Sequence, residues 1–240
     1  MVSKSQIKLI TSLAQKKYRQ QHGLFVVEGI KGISEFLSSN LKLHSIYSTG
    51  DYFEDVPADL CMHLTDNELK KVSFLKTPQK ALAIFHIPES DSVDPSGLQL
   101  ALDDVRDPGN LGTIIRLCDW FGVKQLICSP QTVDCYNPKV VQATMGSLTR
   151  VHIKYTNLSS FLTEKLPVYG AFMDGENVYE ASLPQNAIVV MGNEANGISK
   201  EVEKLVSERI AIPQFGTNGT ESLNVATATA ILLSEFKRRF

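Results

Sequence analysis

The chain has little of what marks an exported, metal-bound or charge-driven protein. Its 240 residues hold four cysteines, Cys61, Cys118, Cys128 and Cys135. None forms a C-x-x-C pair and none has a histidine at finger spacing, so neither a zinc site nor a disulfide framework is expected. Buried free thiols in a reducing cytosol are the default. The five histidines, His22, His44, His63, His86 and His152, fit no ligand spacing, and no metal is expected. No window approaches the roughly 18 to 20 consecutive apolar residues of a membrane span. Met1 to Gln21 is polar and Lys-rich with no apolar h-region, which argues against a secretory signal. Charge of one sign is lacking as well: 24 basic against 26 acidic residues give −2. That excludes a histone-like hold on nucleic acid by bulk charge, though not a local basic patch. The expectation is a cytoplasmic protein without a membrane partner.

What is present is an ordinary globular composition, 43% apolar and 21% charged, in a 26.5 kDa chain. That length suffices for two small domains or one large one. The clearest seam is Pro88-Glu-Ser-Asp-Ser-Val-Asp-Pro-Ser-Gly97, acidic and without apolar periodicity, which reads as a linker. The division it suggests is 1–88, a linker at 89–97, and 98–240. Residues 1–88 carry 11 basic and 8 acidic side chains, or +3, whereas 97–240 carry 13 and 15, or −2. Lys4, Lys8, Lys16, Lys17, Arg19 and Lys31 concentrate the excess. A solvated helix face explains such a run, and so does a phosphate-facing surface if the other domain handles nucleic acid.

Both parts alternate between strand and helix patterns. In the first, helices are predicted at Ile7 to Tyr18, Gly29 to Leu37 and from Leu64, with strands at Leu24 to Val27, Leu43 to Tyr47 and Ala81 to Ile87. In the second, strands are predicted at Leu98 to Leu102, Gln125 to Cys128, Ala187 to Met191 and Ile210 to Ile212. The intervening helices are Thr113 to Phe121, Pro138 to Met145, Ser199 to Glu208 and Ser222 to Phe236. The fold class is α/β with a mostly parallel sheet, and ligands of such sheets sit beyond the carboxyl ends of the strands. The loops after Leu102, Met191 and Ile212 are therefore the places to search.

Each loop has a plain structural explanation. In the first, Pro108-Gly109 makes a turn, Asn110 or Thr113 caps a helix and Arg116 is a surface residue; equally, Arg116 could point back over the strand ends and hold a phosphate. The second, Gly192-Asn-Glu-Ala-Asn-Gly197, has the glycine spacing of a phosphate loop, but Ile198 stands where the lysine should be, so a nucleoside triphosphatase is rejected. Glu194 there could cap the next helix. The G-x-G-x-x-G of a dinucleotide site and the G-x-S-x-G of a hydrolase are absent throughout. In the third, Ser222 and Asn224 enter the last helix as capping residues would. Three such loops in this order are harder to explain by capping alone.

Together they resemble the SpoU branch of the SPOUT RNA methyltransferases. Asn110-Leu-Gly-Thr-Ile-Ile-Arg116 resembles the first family motif, Val190-Met-Gly-Asn-Glu-Ala-Asn-Gly-Ile198 the second, and Ile212-Pro with Ser222-Leu-Asn-Val225 the third. Ala143-Thr-Met-Gly-Ser147 matches a segment between the first two. The likeness spans 98–240. Residues 1–88, with Phe25-Val-Val-Glu-Gly29, resemble the small α/β substrate-binding domain of many members.

The resemblance implies a C-terminal SPOUT-type parallel sheet with a trefoil knot and a homodimer with the active site at the subunit interface. It implies S-adenosylmethionine as cofactor, held by Met191, Gly192, Ile212, Leu223 and Asn224. Arg116, Asn110, Glu194, Ser222 and Asn224 would be the catalytic and substrate-facing groups, acting on a ribose 2′-hydroxyl of RNA, ribosomal RNA before transfer RNA. Arginine stays protonated at neutral pH, so Arg116 either assists deprotonation beside a phosphate or orients that phosphate. Two departures stand out: Ala226 where many members have serine, and a longer stretch at Gln214–Glu221. The competing readings are a catalytically inactive RNA-binding or ribosome-assembly factor of the same fold and a nucleotide-binding protein acting on a small metabolite.

Overall fold

The apolar runs Leu24–Glu28 and Ala81–His86 are buried along nearly their whole length, so each strand has two apolar faces, and the chain uses both. The computed structural model describes residues 2–89, 96–163, 166–216 and 222–239. Most of the expected linker, together with 217–221 of the lengthened stretch, lies outside them. The chain divides into two compact units: Met1–Ser90 with Asp134–Thr149, and Asp91–Val133 with Arg150–Phe240. No helix among the described residues is long and apolar enough to cross a membrane.

The first unit begins with α1 (Lys4–Ser12) and α2 (Lys16–His22), followed by β1 (Leu24–Glu28), α3 (Ile30–Leu37), β2 (Leu43–Ser48), β3 (Cys61–His63), α4 (Asp66–Val72) and β4 (Ala81–His86). Its sheet runs β1-β4-β2-β3, antiparallel except for the parallel pair β2 and β3. On one face Leu24, Val26, Leu82 and Ile84 bury with Ile10, Leu13 and Leu69. On the other, Phe25, Phe36 and Phe85 form an aromatic cluster that Tyr136 joins, its ring centroid 4.7 Å from that of Phe25.

The single helix expected over Ile7 to Tyr18 is broken. Gln15 is extended, at φ −99° and ψ 133°, between α1 and α2. Arg19 fills the break: its Nη1 donates to the carbonyls of Leu13 and Ala14 at 2.8 and 2.9 Å, and its Nε donates to Asp134 at 2.9 Å. Helix periodicity continues across the break because Ile10, Leu13 and the Arg19 stem all face inward. Arg19 is therefore not part of a phosphate-facing surface, since only 2% of it is exposed. Lys4, Lys8, Lys16, Lys17 and Lys31 are exposed.

The second unit contains β5 (Leu98–Leu102), α5 (Pro108–Trp120) and β6 (Gln125–Cys128). Helix α6 (Pro138–Thr144) belongs to the first unit. After it come β7 (His152–Tyr155), α7 (Leu158–Phe161), β8 (Val168–Asn177), β9 (Ala187–Met191), α8 (Lys200–Glu203), β10 (Glu208–Ala211) and α9 (Val225–Lys237). The six strands are parallel in the order β10-β8-β9-β5-β6-β7. Strands β5 and β9 are buried along their whole length, as a sheet covered on both faces requires. Strand β5 leads outward to β6 and β7, and the chain then returns to the other side of β5 through β8 and β9. The direction of winding thus reverses between β5 and β9, which opens a crevice beyond their carboxyl ends.

Candidate active site

Three loops converge at that crevice, and short polar side chains stitch them together. Helix α5 starts five residues before the expected Thr113. Asp107 caps it by accepting from the Asn110 backbone N–H at 2.8 Å, and Pro108 takes the first helical position, where its missing N–H does no harm. Neither Asn110 nor Thr113 is the cap. The Asn110 side chain is therefore free to reach outward from the first turn.

Asn224 caps α9, its Oδ1 accepting from the N–H groups of Ala226 and Thr227. This fixes the amide orientation, so Nδ2 donates to Asn110 Oδ1 at 2.9 Å. Asn110 must then present its own Nδ2 on the other side, where it donates to Glu194 Oε1 at 2.6 Å. The two Asn side chains and the carboxylate form one chain of hydrogen bonds across all three loops. Glu194 takes this role rather than capping α8; Ser199 is the cap.

The loop holding Glu194 is stiff. Asn193 and Gly197 exchange backbone hydrogen bonds at 3.0 and 2.9 Å, and Asn193 Oδ1 accepts from the N–H groups of Ala195 and Asn196. Gly192 has to be glycine, because a Cβ there would lie 2.2 Å from the Gly197 carbonyl carbon. Two further bonds tie this loop to the one after β5. Asn193 Nδ2 donates to the Asp104 carbonyl at 2.7 Å, and the Ser199 N–H donates to buried Asp103 at 2.7 Å.

Beside this network lies a cleft of about 710 Å³. Met191, Gly192, Glu194, Ile212, Ser222 and Leu223 line it, and Asn224 follows directly after Leu223. Sequence reasoning missed other parts of its wall, among them Phe172 and Met173 from β8, and Phe215, of which 86% is exposed. The signal was weak, because β8 is interrupted by Gly170 and Gly175 and shows no clean alternation. Asn193 was also missed; an Asx turn within a glycine-bounded loop was the clue available.

Arg116 stands apart. It is exposed, lies two turns into α5, and its guanidinium has no hydrogen bond or ion pair among the described residues. Six residues of helix separate it from Asn110, so at about 100° per residue the two side chains leave α5 in different directions. The exposed residues Gly109, Thr113, Arg116 and Trp120 form one stripe at 3- and 4-residue spacing, with Trp120 84% exposed. Among the described residues no cluster of three or more His, Cys, Asp or Glu side chains is arranged to hold a metal ion.

A parallel α/β sheet with a polar network at its switch point defines a ligand-binding enzyme domain, and comparison with known proteins identifies it. Residues 97–234 match the SpoU rRNA Methylase family, and residues 4–83 match the MRM3-like substrate binding domain. The chain belongs to the SpoU rRNA methylase family. It is 30% identical over 231 residues to the 23S rRNA (guanosine(2553)-2′-O)-methyltransferase RlmP of Bacillus subtilis, covering 92% of this chain and 91% of that one. A protein from Porphyromonas gingivalis assigned to the TrmH family of RNA methyltransferases superposes with a TM-score of 0.92 at 41% identity, each chain covered in full. An AdoMet-bound rRNA methyltransferase from Sinorhizobium meliloti gives 0.89 at 29% identity, over 100% of this chain and 97% of that one.

Proposed function

We propose that the protein transfers a methyl group from S-adenosylmethionine to a ribose 2′-hydroxyl of ribosomal RNA. The observation that carries this reading is the hydrogen-bonded chain Glu194–Asn110–Asn224 at the rim of a cleft of about 710 Å³. The cleft suits that cofactor. Its size lies within the range of small-molecule sites, and its walls combine apolar side chains with backbone at Gly192 and Gly197. Met191, Ile212 and Leu223 would bracket the ligand's apolar parts. When bound, S-adenosylmethionine supplies an electrophilic methyl on a sulfonium sulfur.

The remaining work falls to this chain's side chains. A ribose 2′-hydroxyl is a very weak acid, and its oxygen must lie in line with the methyl and sulfur, so orientation supplies much of the rate. Asn224 holds Asn110, and Asn110 holds Glu194 at the cleft wall through Oε1, which leaves Oε2 outside this chain of bonds. Ser222, exposed and lining the cleft, meets the ribose in this reading. Arg116, always charged, anchors the RNA phosphate beside the target nucleotide.

In this reading the site is completed by a second copy, whose Arg116 reaches the first copy's cleft; that Arg116 and Asn110 leave α5 in different directions supports it. The exposed stripe that includes Trp120 supports a homodimer through this face. The same reading gives the chain after the third motif, from Val225 on, the trefoil-knotted path of its family. In the first unit, Lys4, Lys8, Lys16, Lys17 and Lys31 offer a phosphate-facing surface for RNA. Four free cysteines fit a reducing, cytoplasmic setting. An inactive RNA-binding factor is disfavoured, because Arg116, Asn110, Glu194, Ser222 and Asn224 are all present.

The test is transfer from methyl-labelled S-adenosylmethionine to RNA from a strain lacking the gene. Label in ribosomal RNA, recovered as alkali-resistant dinucleotides, is expected. Label confined to transfer RNA would reassign the substrate, and absence of cofactor binding would overturn the enzyme reading.

A further inference from the structure

Strand β8 pairs with β10 in two separate stretches. Arg209 lies opposite Gly170, but the next residue, Ile210, lies opposite Glu176. The five residues Ala171–Gly175 are thus passed over between consecutive rungs. On the other side of β8, register partners on β9 end at Gly170. The excursion closes tightly, since a Cβ at Gly175 would lie 2.5 Å from the Ile210 carbonyl carbon. Its first three residues, Ala171, Phe172 and Met173, line the cleft.

Something other than sheet pairing must therefore hold this wall, and Arg209 is built to do so. Its guanidinium carbon lies 3.6 Å from the centroid of the Phe172 ring, a stacked cation–π contact. One edge of the guanidinium donates to Asp174, within the excursion, and another to Glu203, at the end of α8. The planar group is fixed from three directions. Both carboxylates are substantially exposed, 75% for Asp174 and 42% for Glu203, and ion pairs so placed add little to global stability. Their effect is local, on where the Phe172 ring stands.

We propose that Arg209 is a positioning residue for the cofactor: by clamping the Ala171–Gly175 excursion it sets the Phe172–Met173 wall against which the apolar surface of S-adenosylmethionine packs. This rests on the methyltransferase reading above. Arg209 touches neither the cofactor nor the reacting atoms; it acts through Phe172. Lysine cannot replace it fully, because an ammonium keeps the charge but loses the planar stack and the two-edged grip.

The experiment is cofactor titration by calorimetry, with steady-state methyl transfer, on the full-length protein and three variants. Arg209→Gln is expected to raise both the dissociation constant and the KM for S-adenosylmethionine roughly five- to tenfold, as loss of about 1 kcal/mol of preorganisation implies. Its kcat should fall less than its KM rises, and its unfolding midpoint should stay near that of Arg150→Gln, which breaks another exposed pair, with Asp119. Arg209→Lys should lie between wild type and Arg209→Gln. Adding Phe172→Leu to Arg209→Gln should cost less affinity than Phe172→Leu does alone. Wild-type affinity in Arg209→Gln, or independent effects of the two substitutions, would overturn the proposal. Failure of the wild-type protein itself to bind the cofactor would instead remove the reading on which it rests.

Discussion

The first unit buries an arginine inside its fold, whereas the second leaves one at its surface. Arg19 and Arg116 make the contrast plainest. Arg19 is 2% exposed and answers two carbonyls and the Asp134 carboxylate, all within its own unit. Arg116 is exposed and has no partner among the described residues. A buried charge is tolerated only when its donors are satisfied, so Arg19 is committed to the fold. An exposed charge left without a partner adds nothing to stability and is available to a ligand. Residue type alone does not separate a structural arginine from a functional one; the number of acceptors around it does.

Arg19→Ala should produce the largest change in stability. It strands Asp134 and leaves two carbonyls at the α1–α2 break without donors, so a loss of about 3 to 5 kcal/mol is expected in denaturant unfolding. Arg116→Ala should do the reverse. Methyl transfer should fall roughly a hundredfold, in keeping with removal of a charged group that steadies the reacting complex. Its unfolding free energy should stay within about 0.5 kcal/mol of wild type.

Asn224→Ala tests a residue with both duties. Losing the cap on α9 should lower stability by about 1 kcal/mol. Losing the bond to Asn110 should slow transfer as well, and rescue by Asn224→Asp should restore the cap but not the donor. The smallest effect is expected from Glu28, 7% exposed, whose carboxylate accepts from Ser73 Oγ and the Phe74 N–H. Burial raises its pKa above the usual carboxylate value, more than those hydrogen bonds lower it. Folding therefore favours the protonated form. The stabilisation this gives is complete below the unfolded-state pKa and is lost as pH rises through the folded-state value. Glu28→Gln should accordingly gain most over wild type at neutral pH, and the gain should shrink as the pH falls through the raised folded-state value and level off below about 4.5.

Much of this was legible in the sequence. The apolar runs at Leu98–Leu102 and Ala187–Met191 announced buried parallel strands, and Asn110 and Glu194 from the segments after them meet Asn224 from the segment after β10. Strands β7 and β8 were not predicted. His152–Tyr155 is half exposed, and the Ala171–Gly175 excursion destroys the period of β8. The helix expected over Ser199 to Glu208 shortens to Lys200–Glu203, because Glu208 already belongs to β10. The assignment of Asp134–Thr149 to the first unit could not be read locally either, since it depends on Tyr136 meeting Phe25 and Asp134 meeting Arg19. Periodicity reports that a face is apolar and says nothing of which sheet it covers.

The most direct measurement is methyl transfer and unfolding free energy determined side by side for Arg19→Ala and Arg116→Ala. The expected result is a crossing: Arg116→Ala loses transfer and keeps its stability, whereas Arg19→Ala loses stability and, under conditions where it remains folded, retains transfer. Wild-type transfer by a folded Arg116→Ala protein would contradict the assignment of the exposed arginine to the chemistry.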